Sequence, residues 1–146
     1  MDDSKKIKER LQRLCVRREC CSSEIFQKAV AALDGDEDEA RRILESLTED
    51  RFVDDTRYAS AFAREKSSLA GWGVIKIKHN LALKKIPRAA IDEALSGIDA
   101  DTADRKLRAL LDAKALTLEG DPQKKIKLIR FALSRGYQWD DIENLI

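Results

Sequence analysis

Apolar residues recur along this chain at intervals of three and four, the period of a helix with one buried face. Ile7, Leu11 and Leu14 mark a first helix. Ile25, Phe26, Ala29, Val30 and Leu33 mark a second, and Ala40, Ile43, Leu44 and Leu47 a third. Asp36, with Glu39 three residues on, is a capping signal for that third helix. The pattern then restarts. Asp54 can cap a helix striped by Tyr58, Ala59, Phe62 and Ala63. Gly71-Trp72-Gly73 breaks it, and Val74, Ile77 and Leu81 line the next helix. Ile86-Pro87 breaks again, because proline disfavours a helical residue before it and suits a first turn. Ile91, Ala94, Leu95 and Ile98 follow on a short helix.

A third round starts near Asp101 with Leu107, Leu110 and Leu111. Gly120-Asp121-Pro122 reads as a stop, a cap and a first-turn proline, and Ile126, Ile129 and Leu133 form the next stripe. After Arg135-Gly136-Tyr137, the last helix carries Ile142, Leu145 and Ile146, with Trp139 expected to pack near its start. All six glycines (35, 71, 73, 97, 120 and 136) fall at predicted helix boundaries. The three rounds begin near residues 5, 54 and 101, a spacing within the range of helical repeats. Lys84-Lys85-Ile86 with Ile91 in one round parallels Arg135-Gly136-Tyr137 with Ile142 in the next. The expectation is an all-α, elongated chain of about nine helices in three tandem three-helix modules, 1–50, 51–98 and 99–146. A single irregular helical bundle is the competing architecture.

Composition agrees with helices. Only 8 of 146 residues are Gly or Pro and 5% are aromatic, too few turns and β-formers for a sandwich or barrel. Three cysteines, Cys15, Cys20 and Cys21, are an odd set with an adjacent pair. That suits free thiols in a reducing cytoplasm better than a disulfide framework. No stretch approaches the ~20 apolar residues of a membrane span, and MDDSKKIKER holds no apolar signal core, so a cytoplasmic monomer is expected.

Net charge is only +1, but it is distributed in lobes. Residues 1–23 carry +3, 34–63 carry −6, 64–88 carry +6, 89–104 carry −5, 105–135 carry +6 and 136–146 carry −3. Alternating lobes suit a partner surface that itself alternates in charge, more than a bare phosphate track. The first candidate contact set is Arg64, Lys66, Lys76, Lys78, Lys84, Lys85 and Arg88, together with Trp72 between its two glycines. A second is Arg105, Lys106, Arg108, Lys124, Lys125, Lys127 and Arg130. Each lysine could equally belong to a plain solvated helix face. Tyr58 and Phe62, four apart, could be core residues or stacking platforms for bases. Trp72 could plug a joint between modules or meet a partner.

The segment from Phe52 to Leu95 resembles the central module of the RecX family, bacterial regulators of the RecA recombinase. The residues carrying the resemblance are Asp54, Asp55, Arg57, Tyr58, Ala59, Gly71, Gly73, Ile77, Leu81, Lys84 and Ile86. Ser23-Glu24-Ile25 with Lys28, and Phe131 with Arg135-Gly136-Tyr137, are similar to elements of the flanking modules. Lys85 stands where the family usually has glycine; a left-handed backbone there would strain the lysine. The resemblance implies tandem three-helix units, binding in the groove of the RecA–single-stranded DNA filament, and restraint of recombination, strand exchange and the SOS response. Weak direct DNA binding is compatible with it.

Signs of catalysis are missing from the pattern. His79 is the only histidine and has no metal-site partner, the cysteines form no C-x-x-C pair, and no Walker-type glycine loop is present. No cofactor, metal or catalytic residue is expected. A direct helix-turn-helix DNA binder and a generic helical adaptor remain the alternatives to a RecA regulator.

Overall fold

The computed structural model describes residues 2–146, and among these it contains nine α-helices and no strand. They are α1 (Asp2–Arg17), α2 (Ser22–Ala32), α3 (Glu37–Glu49), α4 (Asp55–Ser68), α5 (Val74–Leu83), α6 (Arg88–Ser96), α7 (Ala100–Leu116), α8 (Lys124–Ser134) and α9 (Trp139–Glu143). Three apolar clusters form separate cores. The first gathers Ile7, Leu11, Ile25, Ala29, Ile43 and Leu47 from α1–α3. The second gathers Ala59, Ala63, Ile77, Leu81, Ile91 and Ala94 from α4–α6. The third gathers Leu107, Leu111, Leu128, Ala132, Tyr137 and Ile142 from α7–α9. Three small cores in a row leave much surface open. The accessible area is 9333 Å² against ~7600 Å² for a compact monomer of 16.5 kDa.

Local chemistry sets the helix starts. Asp36 Oδ1 accepts from the Glu39 amide at 3.1 Å, and Asp54 Oδ1 from the Arg57 amide at 3.0 Å, so both predicted caps form. The Glu39 side chain does not close a reciprocal box; it accepts from Ser4 Oγ and pairs with Arg42. In the third group Asp99 is the cap: its carboxylate accepts from the Thr102 amide and hydroxyl. Asp121 makes an Asx-type contact to the Gln123 amide at 2.8 Å, so α8 begins two residues beyond Pro122.

Three apolar expectations change, the first at the end of the chain, where Ile146 is 41% exposed and, like Leu145, lies past the end of α9 at Glu143. The buried face of α8 is Leu128 and Ala132, with Ile129 half-buried, while Ile126 and Leu133 are 49% and 45% exposed. Two overlapping stripes satisfy the same helical period, and packing against α7 selects the one carrying the small Ala132. Trp139 opens α9 and is 49% exposed, so it packs less than expected. The three thiols are free; Cys20 and Cys21 are buried and Cys15 is half-buried. Burial pushes the Cys20 thiol up to about 12, which leaves it a packing group rather than a nucleophile.

The groups interlock at their borders. Cys21, at the start of α2, lies in the second core, and Val53, just before α4, lies in the first. No residue of its own caps α2. Its Ser22 amide donates instead to Asp55 of α4 at 2.7 Å, and Ser23 Oγ donates to the Lys84 carbonyl at the end of α5 at 2.6 Å. Arg57 completes this joint, donating to Glu19 at 2.7 Å and to the carbonyls of Arg51 and Phe52.

Lys85 adopts φ +60°, the left-handed conformation that suits glycine. A non-glycine residue loses about 1–2 kcal/mol there, offset partly by the ~0.4–1 kcal/mol that glycine loses through unfolded-chain entropy. Lys85→Gly is therefore expected to stabilise the protein by up to ~1 kcal/mol and raise Tm by about 2–4 °C. Thermal unfolding followed by circular dichroism reads this directly; a lower Tm would contradict the strain.

Candidate functional site

The break after α4 packs two backbones against each other. A Cβ on Gly73 would overlap the Gly136 carbonyl group and the Tyr137 nitrogen. A Cβ on Gly136, at φ +90°, would overlap Lys76 Cβ and lie 2.5 Å from the Lys76 nitrogen. Only glycine fits at either position. The close approach lets the Gly73 amide donate to the Arg135 carbonyl at 2.7 Å and the Ile75 amide to the Gly136 carbonyl at 3.0 Å. Unpaired donors opening α5 thus meet carbonyls just past the end of α8, with the helix dipoles aligned favourably. Gly71, at φ +69°, lies against Leu110 of α7, and the Arg135 guanidinium donates to the Ala70 carbonyl at 3.3 Å.

With its flanking glycines held this way, Trp72 rests on the second core and extends a row of aromatic rings. Tyr58 and Phe62 stack with centroids 6.0 Å apart, and Phe62 meets Trp72 edge-on at 6.1 Å. Three ammonium groups, one from α4 and two from α5 and its C-terminal end, cover the row. Lys84 Nζ lies 5.9 Å from both the Tyr58 and Phe62 centroids. Lys66 Nζ lies 5.6 Å from Phe62 and 4.9 Å from Trp72, and Lys76 Nζ is 4.4 Å from Trp72. Cation–π attraction of this kind contributes about 0.5–1 kcal/mol per contact at exposed sites. Tyr58, Phe62 and Lys66 share one face of α4 at intervals of four. Lys84 caps the C-terminal end of α5, where a cation is favoured; Lys76 sits in the first turn, where the dipole opposes it. Burial raises the Tyr58 pKa above its ordinary value, with Lys84 opposing the rise, so the phenol stays protonated at neutral pH.

The first basic set therefore divides. Lys66, Lys76, Lys84 and Trp72 converge into one stripe. Arg64 and Lys78 lie two residues from stripe lysines, about 200° around their helices, and both are exposed. Lys85 is exposed next to Lys84, and Arg88 is exposed on α6 with Asp92 3.9 Å away. Tyr58 and Phe62 are half-buried against the second core, with their rings under lysines rather than open to solvent alone.

The second set is more scattered. Arg108 pairs with Asp104 at 3.2 Å, Lys127 with Asp121 at 2.5 Å, and Arg105 donates to Thr102. Lys106 is half-buried beside Gly71, and Lys124, Lys125 and Arg130 lie along α8. Sequence reasoning missed Lys114 and Arg135, whose cations lie 5.4 and 5.2 Å from the Phe131 centroid. The spacing of Phe131 in α8 and Arg135 at its C-cap, four apart, was the available signal. Among the described residues no group of three or more His, Cys, Asp or Glu could hold a metal ion, and no helix is long and apolar enough to cross a membrane.

The family model for the RecX second three-helix domain matches residues 54–95, from the cap of α4 to α6. A regulatory protein RecX of Clostridium botulinum (strain Alaska E43 / Type E3) is 34% identical over 115 residues, covering 76% of this chain and 53% of its own. One from Clostridium tetani is 30% identical, covering 72% and 50%. A Salmonella arizonae regulatory protein RecX is 25% identical, covering 89% and 78%. The chain thus spans about half the length of the clostridial relatives. Two crystal structures share the fold: a regulatory protein RecX at TM-score 0.87 and 20% identity, over 99% of this chain and 71% of that one, and RecX from Lactobacillus salivarius at TM-score 0.82 and 21% identity, over 99% and 94%.

Because Gly136 abuts Lys76, Gly136→Ala is expected to destabilise by about 3 kcal/mol or more, the scale of severe overpacking with backbone strain. At Gly35, where a Cβ meets nothing within 4 Å, alanine is expected to lose only the φ term. Urea denaturation of the two variants separates them; equal losses would contradict the backbone contact.

Proposed function

The chain belongs to the RecX family of regulatory proteins, and from that premise we propose that it binds the RecA filament on single-stranded DNA and restrains its activities. The observation carrying this reading is the match of residues 54–95 to a RecX domain, the same segment that builds the lysine–aromatic stripe. Its action is non-catalytic: occupation of the filament groove blocks strand exchange and the filament's other clients. The helix groups 1–50, 51–98 and 99–146 act as linked modules, each against neighbouring protomers. Linkage gives the second and third contacts an effective concentration set by the first, so weak individual contacts sum to stable binding. Charge lobes of both signs fit a partner surface that itself alternates in charge, such as a protein polymer holding DNA.

Lys76, Lys78 and Lys84 present charge from α5 and its end. The experiment is RecA's ATP turnover on single-stranded DNA during titration with this protein and with the Lys76→Glu/Lys78→Glu/Lys84→Glu variant. The expected result is inhibition by the native chain, and at least ten-fold weaker inhibition by the variant with helicity intact. No inhibition of a cognate RecA by folded protein would overturn the function. Equal inhibition by the variant would remove this surface from it.

A further inference from the structure

The stripe's geometry is unusual for a surface of aromatic and basic residues. Where single-stranded nucleic acid is held by stacking, ring faces are open and bases lie on them. Here the ammoniums of Lys84, Lys66 and Lys76 occupy that space, each 4.4–5.9 Å from the ring centroids it covers. The order is interleaved: Lys84 bridges Tyr58 and Phe62, Lys66 bridges Phe62 and Trp72, and Lys76 closes the Trp72 end. None of the three is in an ion pair among the described residues. Three positive charges are therefore held in a row, pre-organised by the rings and without a salt-bridged carboxylate among the described residues.

The choice of cation bears on how an anionic ligand is held. Six of the seven ion pairs among the described residues use arginine on a carboxylate. Arginine's planar fork grips a carboxylate or a phosphate in one fixed bidentate geometry; lysine is a compact point charge with rotating donors, which neutralises a phosphate without demanding one orientation of it. The stripe is lysine alone.

We propose that the Tyr58–Phe62–Trp72 row is a cradle for lysines rather than for bases, and that Lys66, Lys76 and Lys84 bind the phosphodiester backbone of a single nucleic-acid strand without base stacking. This deepens the filament reading and rests on it for the source of the strand. Binding is then indifferent to base identity, as suits a regulator that must act wherever a filament forms.

The test uses the full chain and no RecA, so its outcome is separate from that of the filament reading. Binding is measured by fluorescence anisotropy with labelled 20-mers of thymidine and of abasic deoxyribose phosphate, which carry the same phosphates. Polyglutamate of matching length serves as competitor. The expected result is equal affinity for both strands within about two-fold, and poor competition by polyglutamate. In the Lys66→Met/Lys76→Met/Lys84→Met variant, which keeps the stems on the rings, the salt slope should fall by about 2, given ~0.7 per single-strand phosphate. Ten-fold weaker binding of the abasic strand would show that bases stack and overturn the proposal. Polyglutamate competing as well as DNA would assign the stripe to acidic polypeptide instead. An unchanged salt slope in a folded variant would remove these lysines from the contact, and no strand binding by the native chain would refute it outright.

Discussion

The meeting of Gly73 and Gly136 is the constraint on which the second and third helix groups jointly depend. A helix needs partners for its first amides, and α5 has no side chain of its own to supply one. Its Gly73 and Ile75 amides reach carbonyls past the end of α8, which is possible only because neither backbone carries a Cβ at the contact. The first joint solves the same problem with a side chain, as Asp55 of α4 receives the Ser22 amide of α2. In α8 the turn before the helix does it locally through Asp121. Two middle helices are thus completed by the group that follows or lies beyond them. In repeat proteins generally, stability is a sum of unit terms and nearest-neighbour interfaces, and contacts of this kind are such an interface.

This constraint also places the candidate site. Gly71 and Gly73 face the third group, and the residue between them, Trp72, rests on the second core beside Phe62. Lys76 abuts Gly136 through its backbone and covers Trp72 with its ammonium. The stripe therefore spans one joint structurally while its side chains come wholly from the second group. At its other end Lys84 gives its carbonyl to Ser23 of α2 and its ammonium to Tyr58 and Phe62. Both joints terminate on stripe lysines, so the angle between groups and the spacing of the charges are linked.

Much of the fold was legible because its punctuation is chemical. Gly35, Gly71, Gly120 and Gly136 adopt positive φ, and Asp36 and Asp54 cap as their positions suggest. The left-handed turn at Lys85 was foreshadowed only through the family resemblance, which puts a glycine there. The α8 face was not, because Ile126, Ile129 and Leu133 fit the helical period as well as Leu128 and Ala132 do. Which lysines converge was half legible. The Tyr58–Phe62–Lys66 spacing lies on one helix, but Lys76 and Lys84 join it only through the geometry of the break and the end of α5. Gly73 read as a helix breaker; its close approach to Gly136 is a contact between residues 63 apart, which no local pattern encodes.

Amide hydrogen exchange at Gly73 and Ile75 tests this account most directly. If α8 completes α5, both amides exchange as slowly as those of Ile77 and Leu81 in the second core, and they lose protection together when Gly136 is replaced by alanine. Rapid exchange of Gly73 and Ile75 in the native protein would show that the carbonyls of Arg135 and Gly136 do not hold them, and the linkage between the groups and the lysine stripe would fall with it.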